Sequence, residues 1–286
     1  MLFRLGFAIG LAAAGGAVNA DDTCISAKCH ATLLTAKNVH PPSESCDTCH
    51  ESVATPHPQA GKKTFKLTQE PPELCSACHD AIGTKHDVHP PVKEGMCTTC
   101  HDPHASNEAK LLVLPVKELC ESCHDDKGNL ANVHAPVAAG DCTSCHAPHE
   151  SDFKPLLVAE FPADKYVPYT DKAYALCFTC HDREMLQVAQ TASATEFRDG
   201  DRNLHFVHVH NEQKGRSCRL CHAVHSSRGP ALVADAVPFG TWSLPLKFVK
   251  TETGGSCAPG CHKPASYDRK SPGKKPEAAK PAKAAS

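Results

Sequence analysis

Cysteine and histidine recur along this chain in one fixed arrangement. The sequence holds 18 cysteines and 20 histidines, and every cysteine belongs to a pair that a histidine follows directly. Two cysteines three positions apart lie on one side of a helical turn, where they can form thioethers with the two vinyl groups of one porphyrin, and the next histidine can bind its iron. The pattern therefore predicts covalent haem c. Seven motifs have the regular Cys-x-x-Cys-His spacing: Cys46 and Cys49 with His50, Cys75 and Cys78 with His79, Cys97 and Cys100 with His101, Cys120 and Cys123 with His124, Cys142 and Cys145 with His146, Cys177 and Cys180 with His181, and Cys218 and Cys221 with His222.

Two further motifs are stretched. Cys24 and Cys29 precede His30 with four residues between the cysteines, and Cys257 and Cys261 precede His262 with three. The nine motifs use all 18 cysteines. The sequence therefore predicts nine haems, seven at regular motifs and two at stretched ones.

Two other uses of paired cysteines compete with haem. Exported proteins often join cysteines in disulfides, and two Cys-x-x-Cys knuckles can hold one structural zinc ion. Neither use requires a histidine after every pair, and zinc leaves the eleven histidines outside the motifs unexplained. Haem attachment accounts for both observations.

The ends of the chain differ from its middle. Arg4, an apolar run over residues 5–18 and a small-residue cleavage site predict a signal peptide at 1–20. We therefore expect export to the periplasm, with outer-membrane association or an extracellular location left open. Residues 266–286 are rich in Lys, Pro and Ala, which predicts a disordered tail.

The region between the ends, residues 21–265, is built from repeats. Each repeat holds two motifs with a Val-His step between them and another histidine after the second motif. The paired modules are 24–57, 75–104, 120–149 and 177–225, and a single terminal site follows at 257–262.

The composition argues against an ordinary apolar core. Aromatic residues make up only 5% of the chain and there are 23 prolines. We expect a mostly irregular, extended chain with short α-helices and little or no sheet, packed around its covalent haems. The apolar clusters at 111–114 and 156–158 are expected to lie on haem faces.

Histidine is the expected second axial ligand. Beyond residue 20 the only methionines are Met96 and Met185. Two histidines per iron close both faces to substrate, which leaves reversible one-electron transfer and argues against an enzyme. The predicted second ligands are His40, His57, His86, His89, His104, His134, His149, His210 and His225.

In the fourth module three histidines compete for one position. His210 lies eight residues before the next cysteine, as His89 and His134 do. This spacing favours His210, although His205 and His208 match another internal pattern, His86-x-x-His89.

The position of His104 limits what it can bind. It lies three residues after His101, a reach of about 10 Å at full extension. That span is too short to pass around the porphyrin, so we expect His104, and likewise His149 and His225, to ligate a different haem or none. His89 can reach its own iron or that of the preceding haem, and both alternatives stay open.

The chain resembles the doubled-CXXCH multihaem c-type cytochromes in the repeated order of its motifs. This order is Val-His-x-Pro-Val, then Cys-x-x-Cys-His-x-Pro-His, then a Leu-Leu linker, then Glu-Leu-Cys-x-x-Cys-His-Asp. The resemblance covers nearly all of residues 24–225. It implies closely spaced bis-His haems, a role in anaerobic respiration, and inner-membrane quinol oxidoreductases and outer-membrane conduit cytochromes as partners. Haem propionates add negative charge to a formal net charge of −2, which disfavours nucleic acid.

Two other functions remain as alternatives. A nitrite- or hydroxylamine-type multihaem reductase needs an open iron, which in the nitrite reductases is commonly marked by Cys-x-x-Cys-Lys, and this chain has no such motif. A filament-forming haem wire would use a spare histidine between subunits, so oligomerisation is also left open.

Overall fold

The computed structural model describes residues 24–25, 29–211, 215–260 and 262–271. The predicted signal peptide, Cys261 and residues 272–286 of the predicted tail lie outside the described residues. Within the described part, no helix is both long and apolar enough to cross a membrane.

Helical segments are short and lie mainly at the haem motifs and at the steps between them. Proline occupies the first turn of the helices that follow His89 and His134, where its fixed φ suits helix initiation and its missing N–H is no loss. The α-helices are α1 Glu73–Ser76, α2 Pro90–Lys93, α3 Val116–Glu121, α4 Ala135–Ala138, α5 Glu184–Gln187 and α6 Leu204–Val209. The 3₁₀ turns are Pro41–Glu44, Cys46–Thr48, Cys97–Thr99, Ala109–Leu111, Cys142–Ser144, Lys172–Tyr174, Cys177–Thr179, Cys218–Leu220 and Pro230–Leu232.

Strands are more frequent than the sequence predicts. The expectation of an irregular chain with short helices is confirmed, but the expectation of little or no sheet is wrong in part. A ladder of two residues is too short to produce an alternating pattern, so the sequence does not reveal it. The strands are β1 Asn38–Val39, β2 His50–Ser52, β3 Phe65–Leu67, β4 Asp87–Val88, β5 Ala105–Ser106, β6 Asn132–Val133, β7 Glu150–Ser151, β8 Arg198–Asp199, β9 Arg202–Asn203, β10 Ser226–Ser227, β11 Ala236–Phe239, β12 Trp242–Pro245, β13 Val249–Lys250, β14 Gly254–Cys257 and β15 Ala265–Asp268.

All ladders are antiparallel. The pairs are β1–β5, β2–β3, β4–β7, β6–β10, β8–β9 and β11–β12, and β13, β14 and β15 form a three-stranded sheet in that order. Strand β15 includes residues 266–268, so the first residues of the predicted tail pair with β14.

Three ladders repeat one connection between consecutive modules. β1–β5, β4–β7 and β6–β10 each join the Val-His step of one module to the residues that follow the last histidine of the next. In each case the two histidines are also joined through the backbone. The N–H groups donate as follows: His40 to the carbonyl of His104 at 2.8 Å, His89 to that of His149 at 2.9 Å, and His134 to that of His225 at 2.9 Å.

The chain divides into two compact units. The first comprises Met1–Asp80 and Gly95–Pro115, and the second comprises Ala81–Glu94 and Val116–Ser286. The division passes through the second sequence module. The repeats seen in the sequence are therefore not independent folding units.

In the described part of the chain, buried hydrophobic side chains are confined to the second unit. One cluster holds Tyr174, Leu186 and Val209, and the other holds Leu220, Val237 and Leu246. Leu157 is the remaining buried hydrophobic residue in the described chain. The described part of the first unit buries no hydrophobic side chain, so it needs another apolar group to pack against.

Candidate haem centres

Seven pairs of histidine rings in the described part of the chain stack at a nearly constant separation. Each pair joins one motif histidine to one histidine outside the motifs, with ring planes 12–30° from parallel. The centroid separations are 6.1 Å for His30–His57, 6.1 Å for His50–His104, 6.0 Å for His79–His40, 6.1 Å for His124–His89, 6.2 Å for His146–His225, 6.1 Å for His181–His134 and 6.3 Å for His222–His205.

These separations fit a metal held between two imidazoles. With a metal–nitrogen distance of about 2 Å on each side, the ring centroids lie about 6.3 Å apart. Among the described residues, no group of three or more His, Cys, Asp or Glu could hold a metal ion. Each pair therefore offers two ligands, which suits a metal whose other ligands are porphyrin nitrogens and does not suit four-coordinate zinc.

The Val-His histidines pair forward along the chain. His40 of the first module faces His79, the first motif of the second module. His89 faces His124 and His134 faces His181 in the same way. Neither alternative considered for His89 is found, because its partner belongs to the following module.

The histidines at the module ends pair backward. His104 faces His50, in the second motif of the preceding module, and His225 faces His146. This agrees with the reach argument, in which His104 cannot serve the haem of His101. The first and second modules, and likewise the third and fourth, thus exchange ligands in both directions, and the ladder at each of these two junctions holds the two exchanged histidines side by side.

Two pairs form within single modules. His57 faces His30 in the first module, and His205 faces His222 in the fourth. His205 was passed over by the spacing argument. The signal that could have found it is the His205-x-x-His208 match to His86-x-x-His89.

His210 is held in a different environment. Its Nε2–H donates to the carbonyl of Leu186 at 2.7 Å, and its ring centroid lies 4.1 Å from Tyr169 and 4.2 Å from Phe206. The structure therefore places His205, and not His210, opposite His222. His210 follows the end of α6, whereas His205 lies within that helix.

The remaining histidines have other surroundings. On α6, the Nδ1–H of His208 donates to the carbonyl of Leu204 at 2.7 Å. Burial is the main cause of a lowered pKa of His208, and the nearby charge of His262 contributes to it. His86 is exposed just before β4, and the carbonyl of His149 accepts the N–H of His89.

The attachment cysteines differ in exposure according to their place in the module. The first cysteine is half-buried at every described motif. The second cysteine is exposed in the first motif of each module, namely Cys29, Cys78, Cys123 and Cys180, and half-buried in the second motif, namely Cys49, Cys100, Cys145 and Cys221. No two of the described cysteines are joined in a disulfide. Thioether formation at these cysteines stays a prediction. We expect protein to cover the haems attached at exposed second cysteines less than those attached at half-buried ones.

The linkers account for the covered second cysteines in three modules. Their carbonyls accept backbone N–H groups from the linker: Cys100 from Val113 at 3.0 Å, Cys145 from Val158 at 3.0 Å, and Cys221 from Ala234 at 2.8 Å. The sulfur of exposed and covered second cysteines alike contacts the hydroxyl of the preceding residue: Cys123 contacts Ser122 Oγ at 3.7 Å, Cys180 contacts Thr179 Oγ at 3.8 Å and Cys145 contacts Ser144 Oγ at 3.9 Å. The Cys-x-x-Cys-His spacing is the same at both kinds of site and does not reveal the difference in exposure.

A repeated loop fixes the motif histidines in the same three modules. The Nδ1–H donates to a carbonyl nine residues later: His101 to Lys110 at 2.8 Å, His146 to Pro155 at 3.1 Å, and His222 to Ala231 at 3.0 Å. This bond leaves Nε2 free of its proton for iron and orients the ring.

The loop depends on left-handed backbone in the Leu-containing linkers. Lys110 has φ 59°, Leu156 has φ 53° and Ala231 has φ 55°, a region that costs a non-glycine residue energy. From the sequence, the apolar residues of the linkers at 111–114 and 156–158 are expected only to pack on the faces of haems. Their role in orienting ligands left no recognisable sequence signal.

Burial and mutual repulsion favour neutral rings within the pairs. Burial, with smaller contributions from the charges of His222 and His208, lowers the pKa of His205 to about 4. Burial first and the partner's charge second also lower the pKa of His50 and of His89. Neutral imidazole is the form that binds iron.

The two motifs of a module lie close together. Cys75 lies within hydrogen-bonding range of Cys97 and its pKa is raised, mainly by burial. The Cys177 thiol lies within the same range of Cys218, which raises the pKa of Cys177. Porphyrins attached to both members of such a pair lie beside each other.

Two buried hydroxyls border the Cys218 thiol. Tyr174 Oη and Ser217 Oγ have no hydrogen-bond partner among the described residues, and burial and the thiols of Cys218 and Cys177 raise the pKa of Tyr174 to about 12. An unpaired buried hydroxyl costs about 1–3 kcal/mol. The described residues supply no acceptor for either hydroxyl.

Comparison with known proteins agrees with this geometry. Residues 89–129 and 134–186 match the family model described as the doubled CXXCH motif. No curated protein gives a significant match. The matched stretches contain ladder strands, exchanged histidines and attachment thiols described above. Residues 89–186 therefore carry the doubled CXXCH motif, which is consistent with a multihaem c-type cytochrome.

Proposed function

We propose that this cytochrome carries nine covalent haems, including the two at the stretched motifs, and works as an electron carrier without an enzyme activity of its own. The observation that supports it best is the set of seven histidine pairs at 6.0–6.3 Å. An iron between two histidines has no position for substrate, so its chemistry is the gain and loss of one electron.

Contacts between ligand pairs support transfer along the first unit. The backbone bond from His40 to His104 links the pair that contains His79 to the pair that contains His50. The contact between Cys75 and Cys97 links the next two attachment sites. Haems at these sites are held close to one another.

Similar contacts run through the second unit. His134 lies near His225 and His181 lies near His222, because their charges contribute, after burial, to the lowered pKa of His225 and of His222. His208 lies near His205 in the same way, and His262 lies near His208. These contacts support a continuous series of haems from the third module to the terminal site.

The route outside the protein follows from the resemblance and from the predicted signal peptide. We propose a periplasmic relay in anaerobic respiration, from an inner-membrane quinol oxidoreductase to outer-membrane conduit cytochromes or extracellular acceptors. Haem propionates make the loaded surface acidic, so its partners are expected to present basic patches.

Carbon monoxide tests the closed irons, because it binds ferrous haem only where an axial position is open. We expect the dithionite-reduced holoprotein to show no change in its Soret band under carbon monoxide. On an electrode we expect reversible signals equivalent to nine electrons per chain and no catalytic current with nitrite or hydroxylamine. A carbon monoxide complex together with a catalytic current would favour the reductase. Filaments in electron micrographs of the secreted protein would favour the haem wire.

A further inference from the structure

Arginine is distributed unevenly along the chain. After Arg4, the next arginine is Arg183, and all seven arginines of the remaining sequence lie between 183 and 269: Arg183, Arg198, Arg202, Arg216, Arg219, Arg228 and Arg269. The haem sites of the first three modules therefore have no arginine in their own sequence. The fourth module has one inside a motif, because Arg219 follows Cys218 directly.

Arginine charge in the fourth module lies beside histidines that do not face His222. Arg216 and Arg202 lie near the His208 ring, and Arg219 lies near His225, which faces His146. The backbone of Arg216 also donates to the carbonyl of His208 at 3.1 Å. Arginine charge therefore does not distinguish the haem held between His222 and His205, and its apolar surroundings do.

The two apolar clusters of the described chain pack against the second attachment site of this module. Cys218 packs against the cluster of Tyr174, Leu186 and Val209. Cys221 packs against the second cluster, that of Leu220, Val237 and Leu246. Among the described cysteines, only these two and no others belong to either cluster. The site of Cys218 and Cys221 therefore lies between two apolar clusters.

Apolar packing favours ferrous iron at this site. A ferric bis-histidine porphyrin core would carry one positive charge, and the ferrous core would carry none. Apolar surroundings disfavour the charged state.

We propose that the haem attached to Cys218 and Cys221 has the highest reduction potential of the nine, so that electrons entering the protein collect in the fourth module and leave from there. This rests on the proposed electron-carrier function and adds a direction to it. The exposed sites of the first unit, such as those of His30 and His79, are then the sites of electron entry.

A potentiometric titration followed by electron paramagnetic resonance tests this order. As the potential is lowered, the low-spin ferric signal that disappears first belongs to the haem of highest potential. His205→Ala removes the ligand that faces His222, so we expect that signal to be missing in the variant and replaced by a high-spin one. If the missing signal is one of the last to be reduced in the native protein, the proposal is overturned.

A polar substitution in the apolar surroundings gives a second, milder test. We expect Val237→Thr, which puts a hydroxyl into the cluster that packs against Cys221, to lower the ferrous-to-ferric ratio of the first-reduced haem severalfold at a fixed potential. Val249→Thr, the same substitution at an exposed valine of β13, is the matched control and should leave that ratio unchanged. Equal responses to the two variants would refute a local effect.

The two levels of the proposal fail in different ways. All-low-spin irons with another haem reduced first would overturn the direction and leave the carrier function standing. A high-spin ferric iron in the native protein would count against the carrier function itself.

Discussion

His104→Ala is the most informative perturbation of the ligand exchange. The His104 ring lies 6.1 Å from His50 at an angle of 12°, while its backbone carbonyl accepts the N–H of His40 at 2.8 Å. Removing the ring therefore takes away one ligand and keeps the backbone of the β1–β5 ladder. We expect all nine haems to remain attached and one of the nine to become high-spin, at the site of Cys46 and Cys49.

Attachment-site variants identify the affected haem. In a background carrying Cys46→Ala and Cys49→Ala that haem is absent, so His104→Ala should produce no new high-spin signal. In a background carrying Cys97→Ala and Cys100→Ala the signal should persist. Magnetic circular dichroism and electron paramagnetic resonance measure the high-spin fraction, and intact-protein mass spectrometry gives the number of attached haems.

Two controls separate ligation from folding. Added imidazole should restore the low-spin state of the His104→Ala protein, since it replaces the missing ring. His86→Ala, at an exposed histidine outside the seven pairs, should leave every haem low-spin. The reasoning is refuted if the high-spin signal disappears only in the background that lacks Cys97 and Cys100.

Three further predictions test the neighbouring geometry. His205→Ala should make one haem high-spin in the same spectra, while His210→Ala should make none, because Nε2 of His210 is bonded to Leu186; the opposite result would restore His210 as the ligand. Lys110→Pro cannot adopt φ 59° and should detach the Lys110 carbonyl from His101, raising the potential of one haem in a redox titration. Lys110→Gly should keep that potential and stabilise the protein by about 1 kcal/mol; equal potentials in both variants would contradict this. Glu150 accepts backbone N–H bonds from residues 83–85, and these bonds lower its pKa. Their stabilisation is present above the pKa of an unfolded glutamate and is lost as pH falls through the lowered value, so Glu150→Gln should reduce the melting temperature at neutral pH and have progressively less effect in acid. A pH-independent difference would rule out the carboxylate as the cause.

The sequence was sufficient for the chemistry of attachment. Each motif has its two thiols and its proximal histidine within a few residues, so local spacing contains the information. The prediction for His104 has a similar basis, since a limit on reach follows from its separation from His101 along the chain and needs no fold. The stacking of His104 with His50 is in line with it.

Partner assignment depends on contacts between distant residues. The position of His40 is set by the β1–β5 ladder. This ladder pairs Asn38 with Ser106 and Val39 with Ala105, which are separated along the chain by 68 and 66 positions. Ladders of two residues leave no pattern in the sequence. The same holds for the two environments of the second cysteines, because Cys100 is covered by its linker and Cys78 is not. The prediction of His210 used distance along the chain as its guide, whereas α6 brings the His205 ring opposite His222 and ends before His210.

The state of the irons in the native, fully oxidised holoprotein tests the central claim most directly. Low-temperature electron paramagnetic resonance, integrated against the haem content found by mass spectrometry, counts low-spin and high-spin ferric iron in one sample. The account predicts nine haems per chain, all of them low-spin. A sizeable high-spin ferric signal would contradict it, because such a signal requires an iron that the exchanged histidines do not close.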